Sequence, residues 1–279
     1  MRDARGDIKR PLGLRLWLSG GWLLLLALAA LLAPWIAPQD PLAQDLFTSR
    51  LPPFWESGAE PGFWLGSDSL GRDVLSRIIH GARLALIMAL VAGTLTCIIG
   101  TALGLIAGYY RGWPDRIISR FVDIWMAFPP VLFAILLIAV LGTGLTSIII
   151  AIVVIDWTRF ARVIRAEAMT QGAMDYVASA QVAGRKRMGT MLAEILPNVL
   201  PTVVALLTLE MGIAAILSFV NLSISTDSPT WGGMISEGRT SVHQAWWVLV
   251  FPLITLFLTV LSFSQLGEGL KDRFDPVLR

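Results

Sequence analysis

Six stretches of the chain are apolar almost without interruption, and polar or cationic segments separate them. A helix that crosses a bilayer needs about 20 mostly apolar residues. Leu14–Ile36, Ala82–Gly108, Phe121–Leu141, Leu145–Ala161, Asn198–Val220 and Ala245–Leu266 meet that need. Lipid offers no partner to an unpaired backbone group, so the pattern predicts an all-α integral membrane protein with six transmembrane helices. A basic start before the first run is also the pattern of a signal peptide. That run is longer than a signal peptide's apolar region and five more follow, so it is expected to remain as an uncleaved span. The expected organisation is a short N-terminus (1–15), a first span (16–37), a loop segment (38–81), a five-helix core (82–266) and a C-terminal tail (267–279).

The segment between the first two runs is rich in proline and acids, which predicts extended loop over most of it. It ends in "GSDSLGRDVLSRIIHGARLAL". Val74, Leu75, Ile78 and Ile79 make an apolar face at helical spacing there, and Ser67 or Asp68 can cap the helix. This reads as a structural helix lying on the membrane surface and leading into the second span.

Composition agrees with the pattern. Of 279 residues, 55% are hydrophobic and 15% charged, and mean hydropathy is +0.69. Soluble domains carry about 25% charged residues. Net charge is +2 and the sequence pI about 9.0. In so apolar a chain that balance points to loops facing an anionic leaflet rather than to nucleic acid. Seventeen of the 22 Lys and Arg residues fall in the two termini and in the loops after the second and fourth runs. With six spans, that bias puts both termini and those two loops in the cytoplasm. Cys97 is the single cysteine, so no disulfide forms within the chain; its apolar surroundings make it a packing residue.

One polar segment breaks the pattern. "DYVASAQVAGRKRMGTMLAEILPNVLP", residues 175–201, lies between the fourth and fifth runs and is basic in its middle. Met174, Val177, Ala180 and Gln181 recur at helical spacing, which predicts a short amphipathic helix over 173–183. Gly184 suits the left-handed position that ends a helix, and Arg185, Lys186 and Arg187 follow where a helix C-terminus favours cations. Met188, Met191, Leu192 and Ile195 predict a second helical stretch that stops at Pro197, with the next helix starting there. The residues describe an elbow. On physical grounds alone it serves equally as a docking knob or as an amphipathic loop lying on lipid headgroups.

The elbow resembles the coupling loop of ABC-importer permeases, whose pattern is E-A-A-x3-G followed by L-P. Ala180, Gly184, Leu196 and Pro197 match it. "LGSDSLGRDVLSRIIHGAR" (65–83), "GYYRGWPDRIISRFVDIWMAFP" (108–129), "ARVIRA" (161–166), "DYV" (175–177), "LPN" (196–198) and "PTWGGM" (229–234) narrow the resemblance to the peptide and nickel permeases of the C-subunit type. It covers the chain from about residue 40 onward.

That resemblance implies a type I importer permease fold and a coupling loop over about 165–196. It also implies a homologous second permease, two ATP-binding subunits that use ATP and Mg, and an extracytoplasmic substrate-binding protein. The contact residues it implies are Asp175, Tyr176, Val177, Ala178, Ser179, Ala180, Gly184, Arg185, Leu196 and Pro197. The chain itself would be no enzyme and would bind no cofactor, and it has no G-x-x-x-x-G-K-[ST] loop. Substrates carried by such permeases include dipeptides, oligopeptides, nickel chelates and opine-like compounds. Two departures stand out. Ala178 and Ser179 occupy the first two positions of E-A-A, so the acid is missing. After the fifth run, "ILSFVNLSISTDSPTWGGM" lacks the glycines of the family's L-S-F-L-G-L-G.

Several side chains are candidates in their own right. Glu210 lies mid-way along the fifth run, where a lone acid is costly. Two uses are open: to face a pore and attract a cationic group of the substrate, or to pair with a cation or hydroxyl on a neighbouring helix or on a second permease. Asp156 and Arg159 share a helix face and are expected to pair. Asp123 has Arg120 or the arginines of the fourth span within reach. His80 and His243 have no second histidine or cysteine nearby, so no metal site is expected. Trp231, Trp246 and Trp247 fit an interfacial aromatic belt. Gly93, Gly100, Gly104 and Gly108 permit a close helix contact, within the chain or with a second permease. A secondary transporter or channel is the alternative function. It leaves the elbow unexplained. A membrane enzyme would need a cluster of catalytic side chains that the sequence lacks.

Overall fold

A computed structural model describes residues 13–142, 144–217 and 228–274 of the chain. Ten α-helices run through these residues. Their order is α1 (Leu14–Ile36), α2 (Val74–Tyr110), α3 (Gly112–Met126), α4 (Pro130–Leu141), α5 (Leu145–Gln171), α6 (Asp175–Val182), α7 (Arg187–Thr190), α8 (Leu196–Leu217), α9 (Trp231–Ser241) and α10 (Trp247–Phe274). Four stretches are long and apolar enough to cross a membrane: Arg15–Ile36, Val74–Tyr110, Arg187–Ala214 and Trp247–Leu270. The α3–α4 pair makes a fifth if it is counted as one span. The cationic segment 2–10, the C-terminal residues 275–279 and the residues 218–227, where the family glycines are missing, lie outside the described residues.

Three boundaries differ from the sequence expectation. The surface helix and the second span are one helix, α2, of 37 residues, about 55 Å long at 1.5 Å per residue. No breaking residue interrupts the run. Gly81 continues the helix because Trp231 packs there: a Cβ would lie 2.8 Å from the Pro229 carbonyl oxygen. The cap is Asp73, whose carboxylate accepts from the Ser76 amide at 2.7 Å, not Ser67 or Asp68. The third run is not straight. Pro129 and Pro130 cannot continue the helix that ends at Met126, and α3 and α4 meet at 86°. The fourth run, α5, extends past Ala161 to Gln171, carrying Asp156, Arg159, Arg162 and Arg165 along it.

The helices pack by small residues. Gly100, Gly104 and Gly108 on α2 meet Phe160, Ile164 and Ala168 on α5 in turn, so these two helices run parallel. A Cβ on Gly104 would lie 2.8 Å from the Ala161 carbonyl oxygen and one on Gly108 2.5 Å from that of Arg165. Gly93 instead faces Met211 of α8. The glycine stripe is therefore an intrachain contact. Thr208 and Gly212 of α8 face Gly267 and Phe263 of α10, an antiparallel pair. Trp22 of α1 donates to Thr259 of α10 at 3.2 Å.

Four core clusters result among the described residues, and two of them mark the ends of the bundle. One, at the loop end, joins Leu26, Val74, Ile78, Trp231, Met234, Trp247 and Val248. The other, at the opposite end, joins Cys97, Leu105, Phe160, Ile164, Val177, Met191, Ile195 and Val199. The buried thiol of Cys97 is part of it.

The tryptophan belt needs correction. Trp231 and Trp247 are buried in the loop-end core. Their indole N–H groups donate to the Ile78 carbonyl at 2.9 Å and the Ser67 carbonyl at 3.0 Å. A tryptophan with an internal acceptor has no need of an interface. The exposed aromatics at this end include Trp35, Phe47, Phe54, Trp55, Trp64 and Trp246. The loop between α1 and α2 is folded rather than extended. The Arg50 amide donates to Asp68 and the Ser67 amide to Leu51, while the Gln39 amide reaches Ser76 at 3.0 Å.

Candidate functional site

The elbow begins where α5 ends at Gln171. Met174 turns the chain with extended backbone, and α6 starts at Asp175. Val177 is buried against the α5 core, and Tyr176 packs beside it while donating to Gln171 at 2.8 Å. Burial lifts the Tyr176 phenol above its usual pKa. Gln181 reaches the Tyr109 hydroxyl of α2 at 3.2 Å. At the end of α6, Gly184 takes φ +85°. Its amide donates to Gln181 and that of Arg185 to Ala180, the two bonds of a Schellman stop. The left-handed glycine anticipated from the sequence is there.

After the corner, the Arg185 guanidinium donates to Glu194 at 2.6 Å. The chain then re-enters helix without the break expected at Pro197. Instead, α7 passes through a π-helical segment, Met191–Ile195, directly into α8. Proline lacks the N–H that an α-helix would use there, and an extra residue per turn accommodates the loss. The Asn198 side chain donates to the Glu194 carbonyl at 2.7 Å. Met191 and Ile195 are buried, Leu196 is half-buried and Pro197 exposed. Ala178, Ser179, Gly184 and Arg185 are exposed and Ala180 half-buried. The tip of the elbow is apolar: Val182 is 89% exposed, and Met174, Met188 and Leu192 are exposed with it.

Higher on the same two helices, α5 and α8 share a set of charges. Arg159 reaches Asp156 on its own helix at 3.5 Å and Glu210 on α8 at 3.4 Å. Glu210 is 1% exposed, whereas the Arg159 side chain is 48% exposed. In this conformation Glu210 meets a neighbouring helix, and the surface of the set is presented by Arg159. Asp123 of α3 pairs with Arg162 of α5 at 2.9 Å, and Asp115 holds Arg165 through two bonds of 2.5 and 2.8 Å. A cavity of about 350 Å³ between these helices is lined by Ile118, Val122, Asp123, Arg162 and Arg165.

A second charge cluster, absent from the sequence expectation, lies at the loop end. Arg72 reaches Asp68 at 2.7 Å and Glu237 of α9 at 2.8 Å. Arg77 pairs with the same Asp68 and reaches Glu237 at 2.8 Å. Asp68, Arg72 and Arg77 are all buried. The four-residue spacing of Asp68 and Arg72 was the available signal; nothing in the sequence pointed to Glu237. His80 lies on α2, its Nδ1 3.0 Å from the Ser76 carbonyl.

Comparison with known proteins decides what this arrangement belongs to. The family described as "Binding-protein-dependent transport system inner membrane component" matches residues 100–279. The chain belongs to it. The "N-terminal TM domain of oligopeptide transport permease C" matches residues 16–53. The di/tripeptide transport system permease protein DppC of Pseudomonas aeruginosa is 38% identical over 262 residues, spanning 92% of this chain and 86% of that protein. The dipeptide transport system permease protein DppC of Haemophilus influenzae is also 38% identical, over 92% of this chain and 89% of its own. The glutathione transport system permease protein GsiD of Pectobacterium atrosepticum is 37% identical over 94% and 86%. The crystal structure of an amino acid ABC transporter with histidines superposes with a TM-score of 0.54 at 16% identity, over 71% of this chain and 94% of that one. At that identity it speaks for the fold alone.

This permease is thus a transport subunit of an ATP-binding-cassette importer, not an enzyme. It is a multi-pass inner-membrane protein, and ATP hydrolysis belongs to partner subunits. Membership of the family brings with it ATPase subunits, a substrate-binding protein and a second permease as partners. The alternative of an ATP-independent transporter or channel falls away.

Proposed function

We propose that this permease forms half of the import pathway for short peptides and that its elbow, 173–196, is the contact for the ATPase subunits. The names of its relatives favour di- and tripeptides, glutathione among them, over nickel chelates. The observation that carries the site is the exposed apolar tip, Met174, Val182, Met188 and Leu192, held on a hydrogen-bonded corner. Exposed apolar residues at a fixed corner suit insertion into a groove of a partner. The acid missing at Ala178 is no obstacle to that mode of docking. ATP and Mg are used in the partner subunits, and no cofactor is assigned to this chain.

The cationic bias puts the elbow, and both termini, in the cytoplasm. The loop end, with its exposed aromatics, then faces outward, where the binding protein delivers substrate. The parallel course of α2 and α5 fits six crossings, with the bent α3–α4 pair returning the chain between them. One homologous permease and two ATPase subunits complete the assembly. The test is co-expression of the tagged chain with candidate ATPase subunits, recovery in mild detergent, and ATPase and peptide-uptake assays after reconstitution. Recovery of ATPase subunits that is lost on Val182→Glu supports the elbow reading. Recovery unaffected by Val182→Glu and Met188→Glu together counts against it.

A further inference from the structure

The elbow joins α5 to α8 at one end, and Arg159 joins the same two helices farther up. At 1.5 Å per residue, the segment Arg159–Gln171 rises about 18 Å and the segment Leu196–Glu210 about 21 Å. The two sides of the contact are therefore nearly level. α5, the elbow and α8 form a closed frame, covalent at the bottom and electrostatic at the top.

The two carboxylates that Arg159 meets are not equivalent. Asp156 lies three residues away on α5 and moves wherever Arg159 moves. Glu210 belongs to the other helix. Asp156 also faces Glu210 across the same gap, so when α5 and α8 separate, Arg159 stays neutralised by Asp156, and Glu210 loses both its cation and its contact with the second acid. In a medium of low dielectric an unpaired carboxylate is costly. The contact therefore favours the closed frame without leaving the arginine bare when the frame opens. Its length, 3.4 Å, and the exposure of the guanidinium keep that preference modest. A contact that must break in each cycle has to be weak enough to yield.

We propose that the Arg159–Glu210 contact is a releasable latch between α5 and α8, with Asp156 holding the cation when the latch is open. The latch sets the resting frame on which the elbow acts. Asp156, Arg159 and Glu210 are positioning residues for coupling. The inference rests on the reading of the elbow as the ATPase contact.

The test uses the full transporter in lipid vesicles, with its ATPase subunits and binding protein. The substrate is a defined mixture of di- and tripeptides, and the readout is peptide taken up per ATP hydrolysed. Glu210→Gln keeps the shape of the side chain and removes its capacity to carry charge. It is expected to raise hydrolysis in the absence of binding protein and to lower uptake per ATP roughly tenfold, the size of one lost charged hydrogen bond. Asp156→Asn leaves Arg159 to Glu210 alone and is expected to slow turnover while coupling stays tight. The exchange Arg159→Glu with Glu210→Arg restores a cation–carboxylate contact between the helices but leaves the arginine bare on α8 when they part; it is expected to bring hydrolysis without binding protein back down from its level in Glu210→Gln, while turnover stays slow.

Normal assembly with wild-type coupling in Glu210→Gln overturns the latch. So does an exchange variant whose hydrolysis without binding protein stays as high as that of Glu210→Gln. A wild-type chain that recovers no ATPase subunit overturns the elbow reading, and the latch falls with it.

Discussion

At the loop end, two arginines face two carboxylates; between α5 and α8, one arginine faces two. The loop-end set is densely paired, with the Arg77 Nε the one guanidinium or carboxylate atom of the set that is buried without a partner among the described residues. Asp68 accepts from Arg72, from Arg77 and from the amides of Leu70 and Arg72, and Glu237 accepts from both arginines. Three of its four members are buried, and the distances given above reach 2.7 to 2.8 Å. The set on α5 and α8 has contacts of 3.4 and 3.5 Å, and its cation is half exposed. Buried charges persist when their partners match in number and geometry. The loop-end set therefore serves as a fixed joint between the entry loop, α2 and α9. The other set has the excess acid and the slack of a joint that moves.

The sharpest way to break this comparison is to remove the arginine from each set. Arg77→Met leaves Glu237 and Asp68 sharing Arg72 alone in a buried site. Breaking one member of such a pair costs about 3–5 kcal/mol. A large fall in the thermal unfolding midpoint of the detergent-solubilised chain is expected. Arg159→Met is expected to lower that midpoint less, because its contacts are longer and its side chain is half exposed. If the order reverses, the loop-end set is not the fixed joint.

An uncharged contact sharpens the contrast further. Gly104→Leu forces a side chain into the Ala161 carbonyl and Ile164, where a Cβ alone already lies 2.8 and 2.9 Å away. Overpacking of this kind costs about 1–3 kcal/mol. The loss is expected in stability and equally in all assays of the assembled transporter. Uptake per ATP is expected to stay as in the wild type for the protein that folds, which separates a packing fault from a coupling fault. Gly184→Val should do the reverse. A β-branched residue at φ +85° carries about 1–3 kcal/mol of backbone strain, yet the corner is exposed and buries little. Unfolding is expected to shift slightly, while uptake per ATP falls clearly.

The sequence was informative where periodicity or backbone chemistry decides the outcome. The long apolar runs, the helix ending at Gly184 and the glycine contact along α2 all follow from local rules, and all are present. The joint at Pro197 was read as a break because proline ends helices. The chain inserts a π segment instead, with Asn198 bonding back to Glu194. Trp231 and Trp247 were read as interfacial because nothing local shows that the Ile78 and Ser67 carbonyls await their indoles. The partner of Arg77 lies 160 residues away, a distance across which single-sequence reasoning has no signal. Apart from the joint at Pro197 and the cap of α2, which are local, what was missed was long-range, and the charge clusters are built mainly from such contacts. The elbow is the exception, since its corner is local, and it was recognisable before the fold was known.

The smallest effect tests the opposite limit of the comparison. Arg162 and Asp123 pair at 2.9 Å across α5 and α3, a shorter contact than either in the Arg159 set. Distance alone would rank it the stronger. Both side chains are more than half exposed, at 52% and 62%. Water and salt screen such a pair, and holding two long side chains in one geometry costs entropy, so exposed pairs contribute about 0–1 kcal/mol. Arg162→Ala is expected to leave the unfolding midpoint within the scatter of repeat measurements. Uptake per ATP is expected to stay at the wild-type value, since the pair spans α3 and α5 rather than the two helices of the elbow. A loss of coupling in Arg162→Ala as large as that in Glu210→Gln would mean that any arginine on this part of α5 supports transport. The distinction between a fixed and a releasable joint would then lose its basis in burial.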